Sequence, residues 1–280
     1  MCLNKYCRFE LLLKIHITTM EKNRLWTREE LILAFNLYLK IEFGKTHKSN
    51  TAVIELANLI GRTPSAVGMR LGNFASLDPF HRNRGVGGLQ NTGKQVQEIW
   101  TEFVDNKEDL IYESEQILAE KQYSTVEEKY DDLLFDVKDL RGETKIRAIK
   151  TRVNQSVFRQ MIMANYSSKC AITNVDIPGL LFASHILPWS KNEEERLNPE
   201  NGICLSALYD RAFDKGYITF DKDHKVLISP NLKKREKLDY YQNMFGIIEG
   251  RILNTPLKYT PKKEFLEYHR DVIFNRNDTV

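Results

Sequence analysis

The sequence predicts an α+β protein with a small helical region in front, a charged helical connector, and a strand–loop–strand–helix unit in its second half. Three observations carry this reading. Apolar residues recur at helical spacing behind good caps between residues 24 and 104. A charged stretch low in Gly and Pro comes next. Two short apolar segments, 180–187 and 203–205, then bracket a charged loop and run into a short helix closed by Gly216.

A chain of 280 residues has room for two modest domains. Its 42% hydrophobic and 28% charged residues are those of an ordinary globular protein, neither collagenous nor wholly disordered. The net charge of +3 is unevenly spread. Residues 104–140 hold twelve acidic side chains against four lysines, a net −8, which leaves +11 for the rest. A basic protein with one acidic stretch suits a nucleic-acid binder. A solvated acidic helix gives the same numbers. The four cysteines (Cys2, Cys7, Cys170, Cys204) form no C-x-x-C pair, as expected of reduced thiols in a cytoplasmic protein. Residues 11–17 are too short, and too interrupted by Lys14 and His16, for a signal peptide or a membrane span. Residues 1–19 fit poorly with the patterned chain after them, so Met20 is the expected start of the functional polypeptide.

The first folded region spans residues 20–104. Thr27-Arg28-Glu29-Glu30 is a capping box, and Leu31, Ala34, Phe35, Tyr38 and Leu39 continue from it at helical spacing. Asn50 caps a second helix that Gly61 ends; Thr63 caps a third, with Pro64 at its first position. The tight turn between them makes a helix-turn-helix arrangement. On the third helix Ala66, Val67, Leu71 and Phe74 turn inward, leaving Ser65, Met69, Arg70 and Asn73 on the outward face that would meet DNA. Arg82 and Arg84 sit in a basic segment suited to phosphates or a minor groove. A three-helix packing unit with a solvated basic loop is the plain alternative. The segments Trp26–Glu30 and 59–67 resemble the first helix and the later turn of SANT/Myb-like modules, which usually bind DNA and sometimes proteins.

Residues 105–140 are the acidic connector, expected to be helical, broken near Ser124-Thr125, and partly buried through Leu110, Ile117, Leu118, Leu133, Leu134 and Phe135. A third region, 141–280, opens with an amphipathic helix over 145–166. Ile146, Val153, Val157 and Met161 form its apolar side. Lys145, Arg152, Gln155 and Arg159 form a stripe that would meet phosphates if it faced a duplex and is an ordinary polar side if it faces water.

The chemistry concentrates between Cys170 and Gly216. His185 ends the first strand, Asn201-Gly202 leads into the second, and Asp210 and Asp214 lie one turn apart on the helix. This unit resembles the ββα-metal motif of HNH endonucleases. His185 matches the first histidine, Asn201 the central asparagine, and Asp210 the final metal-binding position. Ala183-Ser184-His185-Ile186, Pro188-Trp189, Asn201-Gly202 and Phe213-Asp214-Lys215-Gly216 look like a restriction-endonuclease-type branch of that family. Ser184 stands where an acidic ligand is common, and Tyr209-Asp210 where a histidine is common. The chemistry needs a base for water, which a neutral imidazole supplies near working pH, and oxygen ligands for a hard cation.

The resemblance implies hydrolysis of double-stranded DNA with one Mg²⁺ or Mn²⁺. His185 would activate water, and Asn201 would orient the histidine by holding the loop. Asp210, Ser184 and Asp214 would face the metal, with His185 and Asp210 converging on it from one side of the fold, and Arg211 or Lys215 would face the scissile strand. It also implies a role in restriction or defence against foreign DNA. A homodimer would turn two nicks into a double-strand break. Taken singly, each residue has a plainer reading: a structural histidine, an Asn-Gly turn, a solvated acidic helix face. Two rivals stay open, a DNA-binding regulator with an inactive ββα unit and a protein-interaction module.

Overall fold

The computed structural model describes residues 24–83, 92–135, 137 and 139–275. The expected extension at residues 1–19 and Arg84 lie outside the described residues.

Local capping chemistry starts each helix of the front region. Thr27 precedes α1 (Arg28–Lys40), accepting from the Glu30 amide at 3.3 Å while its own amide donates to Glu30 at 3.0 Å. Asn50 and Thr63 cap α2 (Thr51–Leu59) and α3 (Pro64–Leu77). Leu31, Phe35, Val53, Val67, Leu71 and Phe74 bury against one another. A fourth helix, α4 (Lys94–Phe103), packs across α3 and adds Val96, Ile99 and Phe103 to the cluster. Gly68 lets a neighbouring segment cross α3: a Cβ there would stand 2.9 Å from the Thr46 carbonyl oxygen.

α4 changes the meaning of the outer face of α3. Asn73, expected to face DNA, is only 3% exposed. The period of α3 alone does not announce a later helix that covers its second face. Arg70 is half-buried, its guanidinium 5.0 Å from the centre of the Trp26 ring. The expected basic loop begins as a helical turn, Pro79–Asn83, with Arg82 exposed and donating to the Ser76 carbonyl at 3.2 Å.

The connector is helical and shared between two cores. In α5 (Lys107–Lys121), Leu110 and Ile117 join the front cluster while Ile111 joins the second. Thr125 caps a new turn, Val126–Lys129, beyond the expected break. Leu134 is buried; Leu133 and Phe135 are exposed. Buried Glu115 anchors this region, accepting from Lys40 at 2.8 Å, Lys129 at 2.6 Å, Tyr130 at 2.9 Å and Asn36 at 3.1 Å. Burial pushes its carboxyl up, but Lys40 and Lys129 outweigh that and hold it down at about 2. The folded value lies below the unfolded one, so the stabilisation is full above about pH 4.5 and is lost as pH falls toward 2. We expect Glu115→Gln to remove about 3 kcal/mol at neutral pH and to flatten the fall in thermal midpoint between about pH 5 and 2. Parallel melting curves of the two proteins across that range check this.

α6 (Gly142–Asn165) forms the spine of the second core, burying Ile149, Val153, Val157, Phe158, Met161 and Ile162. Ile146, expected on this side, is 56% exposed because the helix start projects past the core. β1 (Leu181–His185) pairs antiparallel with β2 (Gly202–Ser206), in register from Leu181↔Ser206 to His185↔Gly202. α7 (Ala207–Asp214) comes directly after. β3 (Ile218–Phe220) and β4 (Val226–Ile228) form a separate hairpin. The β1–β2 hairpin is sandwiched between α6 and α7. Among the described residues no helix is long and apolar enough to cross a membrane.

Candidate active site

Regular pairing along β1 sends alternate side chains to opposite faces. His185 stacks on Phe158 of α6, Ser184 reaches Asp210 of α7, and Phe182 is exposed. The cross-strand partner of His185 is Gly202, where a Cβ would meet Ile162 Cδ1 at 2.4 Å and Phe158 Cζ at 2.7 Å. That side of the hairpin is therefore pressed onto α6, and an added Cβ would force the Ile162 and Phe158 side chains to shift. Gly202→Ala should cost about 1–3 kcal/mol through overpacking and should push Phe158 off the imidazole. Denaturant unfolding, with His185 ring-proton shifts as a local readout, checks both effects.

His185 is held from three sides. Its ring stacks on Phe158 at 3.8 Å and 17°, and Trp189 meets it edge-on at 5.3 Å. Its Nε2 lies 2.9 Å from the Arg196 carbonyl oxygen. A carbonyl only accepts, so Nε2 carries the proton and Nδ1 the lone pair. Burial pushes the imidazole down to about 4, partly offset by that backbone hydrogen bond. The ring is neutral at neutral pH. It lines a cleft of about 420 Å³ shared with Gln155, Arg159, Phe182 and Trp189.

The other face carries the acids. Ser184 Oγ donates to Asp210 Oδ1 in a short hydrogen bond across to the first turn of α7. Partial burial raises the Asp210 carboxyl, with Ser184 and Arg211 pulling it back. Asp214, one turn on, is raised by desolvation and then by the charge of Asp210. Arg211 and Lys215 are exposed on the same helix and at its end. Tyr209, at the position where a histidine is a natural expectation, is buried and donates to the Met244 carbonyl at 2.6 Å, so it offers no ligand here.

The expected meeting of His185 and Asp210 on one face is thus corrected. Ser184 and Asp210 are brought together; His185 projects to the opposite side of the hairpin. The reason is the period of two, which sends neighbours Ser184 and His185 apart. The two side chains are still neighbours on one strand, β1, which among the described residues pairs only with β2.

Asn201 braces the unit. It is buried, accepts from the Leu187 amide at 2.7 Å, and donates to the carbonyls of Leu187 at 3.3 Å and Glu195 at 3.0 Å. It thereby ties the chain after β1 to the charged loop. Arg159 braces too: it donates to the carbonyls of Leu181 at 2.5 Å and Pro178 at 2.9 Å. Arg152 donates to Gln155 at 3.1 Å, and Lys145 is half-buried near the start of α6. Gln155 and Arg159 therefore gather with His185, Arg211 and Lys215 with Asp210. Arg70, Asn73 and Arg82 belong to the helical region. Phe158, Trp189 and Arg196 are shapers of the site that sequence reasoning misses. Trp189 has a signal in Pro188-Trp189 after the strand; Arg196, inside a charged loop, has none.

The donor set bears on whether a cation fits. Among the described residues no group of three or more His, Cys, Asp or Glu is gathered closely enough to hold a metal. Asp210, Asp214 and the Ser184 hydroxyl offer oxygen only, and the two carboxyls are both raised, a penalty that a nearby cation reverses. This suits a hard ion that keeps several waters and takes one or two carboxylates.

Residues 170–221 match a family model described as HNH endonuclease. The matched span contains β1, β2 and α7, with His185, Asn201 and Asp210. No curated protein matches the chain.

Proposed function

We propose that this chain is a divalent-cation-dependent endonuclease that hydrolyses phosphodiester bonds in double-stranded DNA. One observation carries the reading: the matched segment coincides with the β1–β2–α7 unit, whose first strand ends in an imidazole and presents, one residue earlier, a hydroxyl bonded to an α7 carboxylate. A phosphate held at the His185 end of β1 would have His185 on one flank and Asp210 on the other.

The geometry supports the following division of labour. His185, neutral at neutral pH, takes a proton from water at Nδ1 while Nε2–H stays on the Arg196 carbonyl. Asn201 keeps the loop, and with it that carbonyl, in place. Asp210, with Ser184 and Asp214, would hold Mg²⁺ or Mn²⁺, which when bound neutralises charge on the phosphate and the leaving oxygen. Arg211 and Lys215 flank the backbone on the same side. The helical region, through Arg82 and Arg84, and the α6 stripe of Lys145 and Arg152 would hold the duplex by its phosphates. Two copies of the chain would convert paired nicks into a double-strand break. The resemblance to restriction-type enzymes supports a role in defence against foreign DNA.

Supercoiled plasmid incubated with the protein and Mg²⁺ or Mn²⁺ tests the reading. Nicking is expected in at least one metal. Asp210→Asn, which removes a direct ligand, should raise the metal concentration for half-maximal nicking by at least the roughly 10–100-fold that loss of an outer-shell partner costs. Plasmid binding without nicking in either metal would instead support a DNA-binding regulator.

A further inference from the structure

Beyond the residues assigned to the chemistry, the loop between β1 and β2 carries a side chain that governs His185 from behind. Arg196 is 18% exposed at its side chain. Its backbone carbonyl accepts from His185 Nε2 at 2.9 Å. Its own Nε donates to the Trp189 carbonyl at 2.8 Å, and its guanidinium lies 5.4 Å over the Trp189 ring. That ring is the one that meets the imidazole edge-on. Arg196 thus supplies the carbonyl on one side of His185 and braces the indole on another, in a loop that Asn201 also holds through the Glu195 carbonyl. The next residue, Leu197, is buried in the second core and pins the loop there.

The same guanidinium also reaches out of the nuclease unit. Nη2 donates to Glu193 at 3.1 Å, and Nη1 stands 3.6 Å from Glu108 Oε1 on α5. That distance is within an ion pair and beyond a hydrogen bond. Glu108 Oε1 is buried and accepts no hydrogen bond among the described residues. A shift of the loop by a fraction of an ångström would complete a charge-assisted bond. The loop therefore has an unfinished contact to the connector helix.

We propose that Arg196 is a positioning residue for His185, fixing which imidazole nitrogen bears the proton and tying that choice to the helical connector through Glu108. A neutral imidazole has two tautomers, and only a fixed acceptor at Nε2 leaves the lone pair at Nδ1. If the loop swings, the ring loses that selection even though His185 itself is intact. The proposal rests on His185 being the base.

The test uses the full chain with Arg196→Met, Arg196→Lys and Glu108→Gln, beside His185→Ala. Plasmid nicking gives kcat and KM, and ¹⁵N spectra of the histidine side chains give the tautomer. Arg196→Met should lower kcat about 100-fold with little change in KM. The His185 nitrogens should move from distinct protonated and unprotonated positions toward averaged ones. Arg196→Lys should recover part of both, and Glu108→Gln should show a smaller change of the same kind. Unchanged His185 nitrogen signals in folded Arg196→Met protein would overturn the proposal, whatever its activity. Nicking by His185→Ala at the wild-type rate would remove the base assignment alone, and the spectra would still decide whether Arg196 sets the ring.

Discussion

Replacing His185 by glutamine lowers plasmid nicking by about two to four orders of magnitude while leaving a folded protein. The imidazole has two jobs that this substitution separates. One is structural, since the ring stacks on Phe158 and donates to the Arg196 carbonyl. The other is the lone pair at Nδ1. A glutamine amide can donate to the same carbonyl but supplies no basic nitrogen. His185→Ala loses both jobs, so its thermal midpoint falls further while its activity falls no more than that of the glutamine variant. Nicking rates and melting curves of the two proteins separate the effects. A glutamine variant as active as wild type would remove His185 from the chemistry.

Asp78→Asn should be the most destabilising of the polar substitutions, at about 3–5 kcal/mol. Asp78 accepts from Lys258 at 2.6 Å, Tyr38 at 2.6 Å and Tyr259 at 3.0 Å. The ammonium of Lys258 also lies 4.4 Å from the ring centres of both tyrosines. Burial raises the Asp78 carboxyl, yet Lys258 and Tyr38 hold it below its usual range. Removing the negative charge strands a buried ammonium. The paired change Asp78→Asn with Lys258→Met should recover part of the loss, because no uncompensated charge remains. A double-mutant cycle in denaturant measures that recovery. Additive losses would show that the two groups do not act as a pair.

What is legible in the chain is what local chemistry decides. Thr27, Asn50 and Thr63 announce helix starts because a cap involves residues within a turn. The strand ending at His185 and the helix through Asp210 are legible because their apolar patterns are short and their punctuation is clear. Packing partners from far along the chain are not. Asn73 reads as an outer residue until α4 arrives to cover it. Ile146 reads as core because its spacing is right, but the helix extends beyond the surface it would pack on. The facing of Ser184 and His185 is instructive in another way. Motif spacing puts them together along the chain, while strand alternation sends them apart in space. Arg196 leaves no trace at all, since its backbone carbonyl matters as much as its side chain.

The Lys258 knot has a consequence for how this protein is made. Lys258 lies 180 residues beyond Asp78 and 220 beyond Tyr38. A ribosome delivers the front helices long before the ammonium that neutralises Asp78. Until residue 258 emerges, the nascent helical region holds a buried carboxylate with its cation still untranslated. A stop codon placed ahead of residue 258 would therefore weaken the beginning of the chain as well as its end, a lesion felt far from where the message was cut.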